Sequence, residues 1–136
     1  MVTYRPPELE GQRQFDERIR IERLASVFYD RIEARRFNSI ATYKDPALRE
    51  YFRTPQAFDD YYAELVQDLT VWHFEAVRPT RVVVLDMALE ESGRVGVRVR
   101  FHGRNGRPMR FWNTSLIRID QWEFSDGRWW ILPGKV

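Results

Sequence analysis

Cysteine is absent from the 136 residues, and lysine and histidine are nearly so, at two each. Without cysteine there is no disulfide, no thiolate metal site and no thiol chemistry. His73 and His102 share no close spacing, so a metal would need carboxylates gathered from afar; no metal and no cofactor are expected. No apolar run approaches the roughly 20 residues of a membrane span, and no phosphate-binding glycine loop or nucleophile elbow is present. The first 14 residues, MVTYRPPELEGQRQ, lack an apolar stretch and read as a flexible lead-in to a single domain over 15–136. An export signal upstream would leave no trace in these letters, so the compartment stays open between cytoplasm and periplasm.

What remains is rich in arginine, with 20 residues, and in aromatics, also 20. The charge is uneven. Residues 1–90 carry a net −3 and residues 91–136 a net +5, and between Arg94 and Arg118 there are seven arginines and no acid. The apolar and charged fractions, 43% and 31%, are those of a folded domain rather than a disordered chain.

The first half has helical periodicity. Ile21, Leu24, Ala25, Phe28 and Ile32 recur at three- and four-residue spacing, predicting a helix over about 15–37. Asp45-Pro46 and Thr54-Pro55 are each an N-cap followed by proline at the first helical position, opening helices over about 46–51 and 55–69. From residue 70 the grammar is that of strands, expected over 71–77, 81–89, 94–102, 107–124 and 128–132. Asn105-Gly106 suits a two-residue type I′ turn, and Asp126-Gly127 offers a second.

Those turns dictate register. The first pairs Arg104 with Arg107, Arg100 with Phe111, Val99 with Trp112 and Val95 with Leu116; the second pairs Phe124 with Trp129 and Trp122 with Ile131. One sheet face then holds Val95, Val97, Val99, Phe101, Trp112, Leu116, Trp122, Phe124, Trp129 and Ile131, the face expected beneath the helices. Arg118 and Asp120 share its parity unless a bulge interrupts so long a strand.

The closing segment, Gln121 to Leu132, is a tryptophan strand, an acidic-Gly turn, then Arg-Trp and aliphatics, and Phe28-Tyr29 forms an aromatic pair in the first helix. Over about residues 15–133 the chain resembles the nuclear transport factor 2-like (SnoaL-like, cystatin-like cone) superfamily. That resemblance implies an α+β fold, three N-terminal helices on a strongly curved antiparallel sheet forming a cone-shaped α+β barrel. It also implies a cone able to hold a small apolar molecule, and homodimerisation through the sheet. No complete catalytic set of an enzyme branch maps onto this sequence.

Three functional readings follow. The first is a pocket or assembly module, its aromatic wall formed by Phe28, Tyr29, Tyr62, Trp112 and Trp130, with Asn113 beside it. The second is a cofactor-free isomerase, dehydratase or cyclase. Asp120 or Asp86 would be its base, because burial raises a carboxylate toward neutral pH, with His73 or Tyr29 as hydrogen-bond partner. Asp86 sits among valines and leucine, and Asp120 next to Arg118; either is a base if buried, or an ion-pair partner if turned to an arginine. The third is anion binding through Arg98, Arg100 and Arg110, though the acidic first part of the chain argues against nucleic acid.

Overall fold

Among the described residues four α-helices precede four strands: α1 (Pro7–Ile32), α2 (Ile40–Tyr43), α3 (Pro46–Arg49), α4 (Pro55–Val71), then β1 (Arg81–Glu90), β2 (Arg94–Arg104), β3 (Asn113–Ser125) and β4 (Arg128–Leu132). The computed structural model describes residues 7–90 and 93–134, with side chains from Asp16 onward; residues 1–6, 91–92 and 135–136 lie outside it. The fold is α+β, helices followed by a curved antiparallel sheet in the order β1-β2-β3-β4, open rather than closed into a barrel.

The two proline-initiated helices start where their caps dictate. Asp45 Oδ1 accepts from the Ala47 N–H at 2.9 Å and Thr54 Oγ1 from the Ala57 N–H at 3.0 Å. The first helix ends earlier than its periodicity suggests, because Ala34 turns left-handed (φ 65) and gives its N–H to the Pro79 carbonyl at 2.7 Å. The strand expected over 71–77 does not form. Helix α4 runs on to Val71, and His73, Ala76 and Val77 take φ values of 60, 56 and 48, which no strand permits. Only Phe74 pairs, as a single bridge to Asn105.

The Asn105-Gly106 turn is also absent, and residues 105–112 form a longer loop. Both turn residues are engaged by tertiary contacts: Asn105 bridges Phe74, and the Gly106 N–H donates to the His73 carbonyl at 2.8 Å. Arg104 therefore pairs with Asn113, Arg100 with Ile117, Val99 with Arg118 and Val95 with Trp122, a shift of six residues from the expected register. Six is even, so every side chain keeps its face. Trp112 is lost from the inner set, carried into the loop, and Phe124 keeps its parity but lies exposed near the second turn. At the second hairpin, Phe124 pairs with Trp129 and Trp122 with Ile131 as expected, with Asp126 and Gly127 at φ 54 and 80. β3 carries no bulge; the irregularity lies in β1, between Val84 and Asp86.

Beneath the helices lies a core centred on Phe28, whose ring meets Tyr29, Tyr51, Phe52, Tyr61 and Trp122 edge-on at centroid distances of 5.0 to 6.2 Å. Edge-to-face packing sets the positive ring edge against the negative face. Strand β4 is closed at its outer edge by the Ile131 N–H donating to the Tyr51 carbonyl at 2.9 Å. On β1 the Val82 N–H is met by the Glu33 carboxylate at 3.2 Å.

Candidate functional site

Alternation along β3 sends Arg118, Asp120 and Trp122 inward together. Asp120 is 2% exposed, the one carboxylate among the described buried residues. Two helices bring it donors. Tyr29, from α1, donates its hydroxyl to Oδ2 at 2.6 Å, and Tyr61, from α4, donates to the same oxygen at 2.7 Å. Oδ1 accepts from Arg118 Nε and Nη2, both at 3.4 Å. The Trp122 indole N–H donates in turn to the Tyr29 oxygen at 3.3 Å. Both carboxylate oxygens are thus occupied, as a buried charge requires.

Arg118 carries the network outward. Its guanidinium is also bonded to Asp68, lies 3.8 Å from Glu64 and stacks 5.3 Å from the Tyr61 ring centre. Burial alone would lower its pKa; Tyr61, Asp120 and Asp68 outweigh that and raise it. Burial, then the charge of Asp120, holds the Tyr29 and Tyr61 phenols well above their ordinary range, so both remain proton donors. Among the described residues no group of histidines and carboxylates could hold a metal. Glu64, Asp68 and Asp120 do gather, but around a guanidinium.

Two depressions flank this network. A groove of about 580 Å³ runs between α1 and β1, floored by Tyr29, walled by Val82, Val84 and Met87, and rimmed by Arg18 and Asp30. On the other side a basin of about 450 Å³ is lined by Glu64, Gln67, Asp68, Arg118 and Ile119. Asp120 lines neither; it lies behind Tyr29 on one side and Arg118 on the other.

The other expected site residues do not converge on it. Asp86 is exposed and paired in two bonds with Arg98, at 3.2 and 2.5 Å; it reaches the groove as a rim residue. His73 is exposed at the turn after α4. Phe28 is core. Tyr62 is half-buried one face away from Tyr61, its hydroxyl donating to the Phe37 carbonyl. Trp112 and Asn113 belong to the exposed end of the sheet, and Trp130 packs on the outer face under Arg128, 4.1 Å from its ring centre. The aromatic wall therefore does not assemble as one surface. Nor do Arg98, Arg100 and Arg110 make one site: Arg98 is answered by Asp86, Arg100 lies mid-strand, and Arg110 stacks 5.0 Å from the Trp112 ring centre in the loop.

Sequence reasoning missed Tyr61, Glu64 and Asp68. The signal for Tyr61 is present: with Phe58, Leu65 and Leu69 it forms the three- and four-residue stripe of α4, which Tyr62 leaves by one position. Comparison of the chain with models of protein families, with curated proteins and with solved structures finds no match.

Proposed function

We propose that this chain is a binding module of nuclear transport factor 2-like type, taking a small, mainly apolar molecule in the groove between α1 and β1. The groove carries the reading. At about 580 Å³ it is of ligand-site size, such sites running from roughly 300 to 1,000 Å³. Val82, Val83, Val84 and Met87 form its apolar wall, and charged side chains of both signs, among them Arg18, Asp30 and Asp86, share its lining and would orient a ligand. The packed interior around Phe28 and Trp122 leaves the cone's centre filled, so the ligand would lie beside the aromatic core and not within it. A homodimer through the outer sheet face belongs to the same reading; the exposed Ile117 and Ile119 are what such a contact would cover.

A cofactor-free isomerase, dehydratase or cyclase is the second reading, favoured by one observation. Tyr29 lines the groove and donates to Asp120, so a proton taken from a groove ligand has a two-step path inward. Against it, Asp120 lines neither the groove nor the basin, and a general base must come within reach of its substrate.

The test is titration with an anilinonaphthalene fluorophore as the apolar probe, followed by a fragment screen read by NMR. Val84→Arg is expected to weaken probe binding at least about tenfold, since it fills the groove with a charge. Binding unaltered by Val84→Arg removes the groove from consideration. The enzyme reading requires instead that Asp120→Asn abolish turnover of a bound fragment while leaving its binding intact.

A further inference from the structure

The loop between β2 and β3 gathers large apolar side chains in solvent. Met109, Phe111 and Trp112 are 82%, 91% and 52% exposed. Val71 and Trp72, both exposed at the end of α4, adjoin them: Thr114 Oγ1 donates to the Trp72 carbonyl at 2.7 Å, and the Gly106 N–H to the His73 carbonyl at 2.8 Å. Large apolar side chains gathered in solvent at one end of a fold mark a contact surface, whereas singly scattered ones do not.

The loop is a built frame. Asn105 Oδ1 accepts from the Arg107 N–H at 3.0 Å, the Arg110 N–H donates to the Arg107 carbonyl at 3.2 Å, and the Asn105 N–H donates to the Trp112 carbonyl at 3.3 Å, closing the turn. Met109 is held left-handed at φ 63, a strained state for a residue with a side chain.

Around the apolar tip stand Arg104, Arg107 and Arg110, in a stretch of sequence without an acid from Arg94 to Arg118. Arg104, Arg110, Asn105 and Asn113 line a pocket of about 340 Å³ beside Phe111 and Trp112, with Glu75 as the acidic member of its lining. Further along the sheet, Arg98 is neutralised by Asp86 and Arg94 by Glu123. Among the described residues, Arg104, Arg107 and Arg110 therefore gather positive charge at the loop rather than along the strands as a polynucleotide backbone would need.

We propose that this loop docks on a bilayer surface carrying anionic phospholipids. Met109, Phe111 and Trp112 enter the boundary between headgroups and acyl chains, Arg104, Arg107 and Arg110 meet the lipid phosphates, and the Asn-Arg pocket takes one headgroup phosphate. Tryptophan and arginine, here stacked on each other at 5.0 Å, are the side chains that this interface accommodates best. The site is separate from the α1–β1 groove and does not depend on its occupant.

Vesicle flotation tests it, using phosphatidylcholine alone and phosphatidylcholine mixed with phosphatidylglycerol. The protein is expected to float with the mixed vesicles and not with phosphatidylcholine alone. Arg107→Gln and Arg110→Gln should each weaken binding about fivefold, and raised salt should do the same. Phe111→Ser with Trp112→Ser should weaken it at least about tenfold at constant salt. All four side chains lie in the exposed loop, so far-UV circular dichroism should be unchanged. Soluble glycerol 3-phosphate should not displace the protein; displacement would mean a phosphate site without membrane docking and would overturn the proposal. So would equal flotation with both vesicle types, or a duplex DNA fragment bound as tightly by the Phe111→Ser, Trp112→Ser variant as by the wild type. A shift of that variant to a smaller oligomer without vesicle binding in the wild type would assign the loop to a protein interface instead.

Discussion

Removing a carboxylate from water costs several kcal/mol unless fixed donors replace the solvent, and for Asp120 the replacement is two phenols and a guanidinium. The arrangement ties the protonation of the tyrosines to folding. Tyr29 and Tyr61 ionise well above 10.0 in the folded chain and near 10.0 once unfolded. Between those values the unfolded state has released protons that the folded state still holds, so stability falls as pH rises, by up to about 1.4 kcal/mol per pH unit for each tyrosine. Below the unfolded value the contribution is fully present. The urea midpoint is therefore expected to drop steeply above about pH 10, and Tyr29→Phe should make that slope shallower without abolishing it, because Tyr61, Tyr51 and Tyr62 are raised as well. A midpoint flat to about pH 11 in the wild type contradicts the assignment.

At the scale of elements, two glycines separate conformation from packing. Gly127 sits at φ 80 with nothing near its absent side chain, whereas Gly103 has ordinary φ but leaves room for the Phe74 ring, which a methyl group would overlap. Gly127→Ala should cost about 1 kcal/mol from backbone strain alone. Gly103→Ala should cost more, up to about 3 kcal/mol, as the ring is displaced and the 105–112 loop loses its anchor. Chemical denaturation ranks them; the reverse order would mean that the Phe74 contact contributes little.

The same contrast explains what could be read from the letters. Asp126-Gly127 forms its turn because its remote contact, Arg53 to the Asp126 carboxylate at 2.7 Å, engages a side chain and leaves the turn backbone alone, while Asn105-Gly106, an equally good local signal, is overridden by backbone contacts to Phe74 and His73 that are remote in sequence. Helix starts at Pro46 and Pro55 were legible because their caps are local. The inner face was legible because parity survives an even shift. The partners of Asp120 were not: alternation turns it inward but cannot say which tyrosine of α4 lies opposite. The α1–β1 groove depends on how a helix lies along a strand edge, which no pattern within either element encodes.

Over the whole molecule the charge imbalance resolves into separate neighbourhoods. The acidic α4 answers Arg118 through Asp68 and Glu64, Asp86 and Glu123 answer the strand arginines Arg98 and Arg94, and Arg104, Arg107 and Arg110 gather at one end of the sheet. Asp120 has a different kind of reach. Its bonds to Tyr29 and Tyr61 span 91 and 59 residues of chain. Contacts so distant form only after long loops have closed, late on the path to the native state. Asp120→Asn should therefore cost about 2 kcal/mol almost wholly by speeding unfolding, about 30-fold, with refolding changed by less than about twofold. Stopped-flow chevrons decide this, and a slowed refolding limb would place the contacts in the folding nucleus. A single inward carboxylate then governs how long the folded protein lasts and leaves the speed of its formation to the hairpins.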